Sequence, residues 1–357
     1  MAEHTTRSAD LVEQAVLVEH AGLVEQAGLV EQAGLVEHAE AIVRAATRAP
    51  SHHNAQPWAF RIRPDGVEVY ADRSRRMPVA DPADRQLLIG VGAAVYGLRL
   101  AVAGLGLRPV VTLLPDPARP DLAALVAGAG RHVPTAAEVR QSAEVGRRRT
   151  VRGPFTDDPL PVPLQVTLAD VAAAEGMSLR WVEGAGERRG LAALVAAAEH
   201  EQQADTAFRT ELASWVGGQV RQLRAGVPPT ALGPTAGAGH AAEFPMRDFT
   251  GGGPGGPAAA PRPESHPAVV ALVTPADRPA DWLRAGQALY GLLLVASAAG
   301  YAASYLNQPL EIGRLRERVR DELRLPGYPQ VLLRLGRPAG PLPPPTPRRP
   351  LAEVLRR

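Results

Sequence analysis

Apolar and polar positions alternate over Trp58-Ala-Phe60-Arg-Ile62-Arg, turn at Pro64-Asp65-Gly66, and alternate back over Val67-Glu-Val69-Tyr-Ala71. Period-two alternation across a Pro/Gly turn predicts a β-hairpin. Before it, Ile42, Val43 and Ala46 fall at helical spacing, and Pro50 drives Ala49 out of the α region, so a helix runs from Ala39 to about Arg48 and a loop spans Ser51 to Pro57. Small apolar residues without a polar face predict two long buried helices over 85–106 and 281–300. A helix over 163–175, a strand over 178–183, helices covering 191–223, and buried strands over 269–273 and 330–335 complete the pattern.

Two repeats underlie it. From Leu11 a hexapeptide recurs with Leu11, Leu17, Leu23, Leu29 and Leu35 opening the copies. Six residues advance a helix by roughly 600°, so the leucines wind around the rod and form no coiled-coil seam. The reading is a helical extension, residues 1–38, without chemistry. The second repeat is longer: Gly92, Ala94, Tyr96, Gly97, Leu98, Leu100 and Gly106 return 194 positions later as Gly286, Ala288, Tyr290, Gly291, Leu292, Leu294 and Gly300. Two copies of one helix imply two related halves, 39–140 and 141–357, with the helices packed at a pseudo-twofold. A Gly/Pro-rich loop, 226–265, interrupts the second half as a lid would, and a Pro-rich tail, 338–357, is expected to lie extended on the surface.

Composition removes several chemistries. No Cys is present, which excludes disulfides, thiolate metal sites and a cysteine nucleophile. All 39 basic residues are Arg, balanced by 37 acidic ones, so no Schiff-base or Walker lysine exists and no basic excess points to nucleic acid. The polar start, Met1 to Arg7, has no signal-peptide pattern. The uncharged stretch 285–308 approaches membrane-spanning length, but its Gly, Ala, Gln and Asn content favours a buried central helix. A cytoplasmic protein without membrane or nucleic-acid partners is expected. His52 and His53 are adjacent and no His-x-x-x-His spacing occurs, so no metal is expected. No Gly-x-Gly-x-x-Gly follows a strand, which argues against a dinucleotide Rossmann fold.

Two segments carry candidate chemistry. Arg148, Thr150 and Arg152 alternate in an extended run and form a fork suited to a phosphate dianion, or else a solvated basic face. Between two stiffening prolines, Pro50-Ser51-His52-His53-Asn54-Ala55-Gln56-Pro57 offers donors and acceptors for the polar edge of a flat ring, or else a polar turn into the strand.

Together these segments carry a resemblance. The loop resembles the Pro-Ser-x-x-Asn-x-Gln-Pro-Trp motif of the flavin-dependent nitroreductase family, and Arg148-x-Thr150-x-Arg152 with Phe155 is similar to its Arg-x-Ser-x-Arg motif. The match is nearest the Acg-like branch, in which two nitroreductase-type halves share one chain, and it extends from about Ala39 to Leu355. The resemblance implies an α+β fold of two fused halves with mostly antiparallel sheets, and a monomer in place of a homodimer. It implies FMN as cofactor, NAD(P)H as transient reductant and a small-molecule electron acceptor, a nitroarene or quinone. By the same resemblance Arg148, Thr150 and Arg152 grip the flavin phosphate with Arg348 or Arg349 adding charge, and Pro50, Ser51, His52 and Asn54 line the ring. Asn307 and Gln308, where the family has Glu-Gly, approach N5, and Arg75 serves N1. The first half has no copy of the Arg motif, so one flavin site is expected. The competing expectation is a non-catalytic protein of this fold that sequesters flavin or has lost it.

Overall fold

A computed structural model describes residues 35, 37–217, 224–232, 243–249 and 267–356. Nearly all of the hexapeptide repeat and the 250–266 part of the Gly/Pro loop lie outside the described residues. In chain order the helices are α1 (Ala39–Ala46), α2 (Arg85–Gly104), α3 (Ala136–Glu144), α4 (Val162–Ala174), α5 (Ala185–Ala204), α6 (Thr206–Ser214), α7 (Pro279–Ala298), α8 (Gly313–Glu322) and the short α9 (Leu351–Val354).

The anticipated hairpin is β1 (Trp58–Arg63) with β2 (Gly66–Ala71), Trp58 opposite Ala71. Strands β3 (Leu107–Leu113) and β4 (Leu122–Arg131) extend it into an antiparallel sheet ordered β1-β2-β4-β3. Strands β5 (Ser178–Trp181), β6 (Ala268–Thr274), β7 (Ala302–Tyr305) and β8 (Tyr328–Gly336) form a second antiparallel sheet ordered β5-β6-β8-β7. Each sheet therefore consists of two strands, a long helix, and two strands that exchange places, α2 serving the first and α7 the second. Gly106 and Gly300, 194 positions apart, share φ +79° and turn the chain from helix into β3 and β7.

The long helices lie against each other, and glycine sets how closely. A Cβ on Gly92 would stand 2.0 Å from the Leu283 carbonyl oxygen, and one on Gly286 would stand 2.0 Å from that of Ile89. Ile89 and Leu283 are themselves repeat equivalents, so the contact is reciprocal, as across a twofold. One turn further along, the Tyr96 and Tyr290 rings meet edge to face at 6.1 Å. Among the described residues one helix, α2, is long and apolar enough to cross a membrane, and 78% of that window is buried in the protein.

The first sheet packs Trp58, Phe60, Val67 and Val69 against α1 and α2, while the second is covered on both faces. Val270 and Leu272 face α4 and α7; Val269, Ala271 and Val273 face α5 and α8, as strand alternation requires. Of the helices expected over 191–223, α5 already begins at Ala185 and ends at Ala204, Asp205 caps α6 by accepting from Ala207 N–H at 2.8 Å, and 218–223 lie outside the described residues. The Pro-rich tail runs extended over exposed and half-exposed positions from 339 to 350, and Leu355 then pairs with Phe60 at the edge of β1.

Candidate functional site

The loop between α1 and β1 is held in a shape few residues adopt. His53 (φ 44°), Asn54 (φ 56°) and Gln56 (φ 55°) all have left-handed backbones, at a cost of about 1 kcal/mol or more each. Side chains hold the loop in that form. Gln56 N–H donates to Ser51 Oγ at 2.9 Å, Asn54 Nδ2 donates to the Gly226 and Pro347 carbonyls at 3.0 and 3.1 Å, and Gln56 Nε2 donates to the Arg224 carbonyl at 2.9 Å. Asn54 is thereby committed to shaping the loop.

Facing it, α3 ends in a turn where Arg148 N–H donates to the Glu144 carbonyl at 2.9 Å. The chain then runs extended beside β7, Thr150 bridging to Ala303. Between loop, turn and β7 opens a cleft, lined by Gln86, Ile89 and Gly90 of α2 and by Pro343, Pro344, Pro345, Thr346 and Arg348 of the tail. Pro50, Ser51, His52, Asn54, Arg148, Thr150, Arg152, Asn307, Gln308 and Arg348 all line it.

Two expected residues do not. Arg349 is spent beneath the loop, with Nη1 3.1 Å from Asp72 Oδ2 and 3.2 Å from the Gln56 carbonyl. Arg75 lies outside the cleft, donating to the Ala55 carbonyl and stacked 5.2 Å over the Trp215 ring. Arg348 lines the cleft but is heavily committed: Nε donates to Thr47 O at 2.7 Å, and Nη1 donates to Asn54 Oδ1 at 3.0 Å and Thr346 Oγ1 at 2.6 Å. Burial, reinforced by the charges of Arg148 and Arg48, pulls its pKa down to about 9.

Arg148 is different. Only 9% exposed, it lies 5.9 Å over the Tyr290 ring, and its Nε and Nη1 are buried without a hydrogen-bond partner. With Arg48, Arg149 and Arg348 it forms a basic pole, and among the described residues none of the four is paired with a carboxylate. Arg147, by contrast, has a side chain 76% exposed near Glu144. Arg152 stands apart from that pole. It lies 5.0 Å over Phe249, donates to the Ala231 carbonyl at 2.7 Å, and is drawn down to about 10 by burial and by Arg247. Both fork guanidiniums, Arg148 and Arg152, act on the buried Tyr305 phenol.

Beside Arg152 is a cluster that sequence reading missed. Glu311, almost fully buried, accepts from Arg247 Nη2 at 2.7 and 2.8 Å and from Gln202 Nε2 at 2.7 Å. Burial opposes its ionisation, yet Arg247 and His52 hold its carboxyl down to about 2. His52 Nε2 lies 3.2 Å from Glu311 Oε1. Burial first, then the charges of His52, Arg247 and Arg152, pushes the His53 imidazole well below its ordinary pKa, so it stays neutral. Arg247 and Phe249 sit in the irregular 226–265 stretch, where no periodicity marks them, and Glu311 gave no signal beyond following Asn307 by four residues.

No protein-family model matches the chain. Individual proteins do. A Mycobacterium tuberculosis protein named "Putative NAD(P)H nitroreductase" is 36% identical over 321 residues, 88% of this chain and 90% of the relative. Another from that organism, named "Uncharacterized protein", is 32% identical over 322 residues, 88% and 91% of the two chains. A third, "Putative NAD(P)H nitroreductase acg", is 31% identical over 324 residues, 88% and 94%. The chain belongs to the nitroreductase family.

The cleft's lining suits an anionic group. Unpartnered buried donors, Arg148 Nε and Nη1 and Gln86 Nε2, line it, and a buried cation without counter-charge calls for an anion.

Proposed function

We propose that the protein is a nitroreductase-type flavin oxidoreductase with one FMN site per chain, built by two fused halves in a monomer. The observation that carries this reading is the buried, unpartnered Arg148 guanidinium in a carboxylate-free basic pole of the cleft. The 194-residue repeat, the shared strand order and the reciprocal Gly92 and Gly286 contacts support the fusion.

When bound, FMN supplies two-electron chemistry, taking hydride from NAD(P)H and passing it to an electron-poor aromatic such as a nitroarene or quinone. The protein's part is orientation and charge. Arg148 would hold the phosphate through charge-assisted bonds, with Arg48, Arg149 and the Thr150 hydroxyl beside it. Pro50, Ser51 and His52 would line the ring from one side, and Asn307 and Gln308 from the other. Arg152 would place a positive charge where reduction puts negative charge, the role expected of Arg75, which lies outside the cleft. Arg348 and Asn54 would act by fixing the walls. A cytoplasmic location belongs to the same reading.

The test is reconstitution. Purified protein mixed with FMN should turn yellow and oxidise NADPH with a nitroarene present. A yellow but inert protein would favour sequestration, and a protein colourless after added FMN would overturn both.

A further inference from the structure

Reduction of a quinone to a hydroquinone needs two electrons and two protons. Hydride from the NAD(P)H-reduced flavin carries both electrons and one of the protons, which leaves an anionic oxygen on the acceptor. The cleft must therefore hold or admit a proton donor, and the structure offers one with the right partner. His52 lines the cleft, its Nε2 stands 3.2 Å from Glu311 Oε1 without hydrogen-bond geometry, and both of its ring nitrogens are buried without a hydrogen-bond partner. Glu311 is fixed by Arg247 and Gln202, so it cannot rotate away. A carboxylate in that position orients the ring. Nδ1 is then the nitrogen free to lose and regain a proton.

The neighbouring groups are poorer donors. The His53 ring is only 4.0 Å from that of His52, but it has no carboxylate partner and burial keeps it neutral. Burial pushes the Tyr305 phenol up, so it keeps its proton. Arg152, drawn down only to about 10, stays protonated through any such cycle.

We propose that His52, positioned by Glu311, donates the second proton to the acceptor's reduced oxygen. The Nδ1–H bond breaks, its electron pair stays on the imidazole, the new O–H bond forms, and water restores the proton to Nδ1. This inference rests on the flavin reading above.

Ferricyanide takes electrons without protons, so the ratio of benzoquinone to ferricyanide reduction, measured per bound flavin, isolates the proton step. The His52→Gln variant should lower that ratio by roughly 100-fold, the scale of general acid catalysis. In a His52→Ala variant, added 4-methylimidazole should restore the ratio. Calorimetry supplies a readout that needs no turnover. Binding of 4-nitrophenolate, in buffers of different ionisation enthalpy, should take up a proton in the wild type and none in His52→Gln. A ratio and a proton uptake that His52→Gln leaves as in the wild type would overturn the proposal. Should the protein fail to bind FMN, the functional reading fails separately, and the calorimetry alone decides the role of His52.

Discussion

Gly286 on α7 rests on the backbone of Ile89 on α2, so closely that a Cβ would stand 2.0 Å from the Ile89 carbonyl oxygen. Both partners are main chain, so neither can swing aside as a side chain would. The same contact is repeated in reverse by Gly92 and Leu283, and together they set how closely α2 and α7 pack.

Gly92→Ala and Gly286→Ala should each lower stability by about 1–3 kcal/mol or more, the cost of overpacking a rigid contact. Gly104, at the end of α2, has nothing within 4 Å of a built Cβ, so Gly104→Ala should be neutral or stabilising by about 0.5–1 kcal/mol. Urea denaturation of the three variants checks the contrast. Equal, small effects would mean the helices are not in this register.

Arg148→Gln should weaken FMN binding by about 1.5–3 kcal/mol, roughly tenfold or more, because it removes a charge-assisted bond to phosphate. Arg147→Gln, altering a side chain 76% exposed, should change little. Riboflavin, which has no phosphate, should bind wild type and Arg148→Gln alike. Fluorescence titration distinguishes these outcomes, and an equal loss for both flavins would remove Arg148 from the phosphate.

Arg349→Gln should act on stability and leave the phosphate site alone. Its guanidinium bonds Asp72 and the Gln56 carbonyl under the strained loop, and its loss should cost about 1.5–3 kcal/mol. Thermal melts should show the drop, while riboflavin-to-FMN discrimination stays at the wild-type value.

The contrast between Arg348 and Arg349 shows where sequence reading reaches its limit. Adjacent residues in a proline-rich run look equivalent as charges, yet one lines the cleft and the other lies beneath the loop, a distinction set by tertiary packing. The hairpin at Trp58 was legible because alternation and a Pro-Asp-Gly turn are local signals, and the long helices because a 194-residue repeat names its own equivalents. Strands β3, β4 and β7 and helices α3 and α8 were not read. β3 carries Pro109 and half-exposed positions, and β7 has only four residues, so neither presents a clear period. Arg247 and Glu311 are 64 positions apart and are joined only by the fold.

Acid should destabilise the protein in two steps. Burial keeps His53 neutral in the folded state, whereas the unfolded imidazole gains its proton near pH 6.5, so stability falls as pH drops below about 6.5. Glu311, held down to about 2, contributes stability that is complete above its unfolded value near 4.3 and is lost as pH falls from there toward about 2. The slope approaches about 1.4 kcal/mol per pH unit for each proton. Urea midpoints from pH 8 to pH 3 should show both steps, with the upper one absent in His53→Gln.

The most direct measurement is the flavin content of the purified chain after incubation with FMN and removal of excess, read from its visible spectrum together with its mass in solution. One FMN per 37.7 kDa chain, on a monomer, is the predicted result. No bound flavin, two flavins per chain, or one flavin shared by two chains would contradict a single site built by two fused halves.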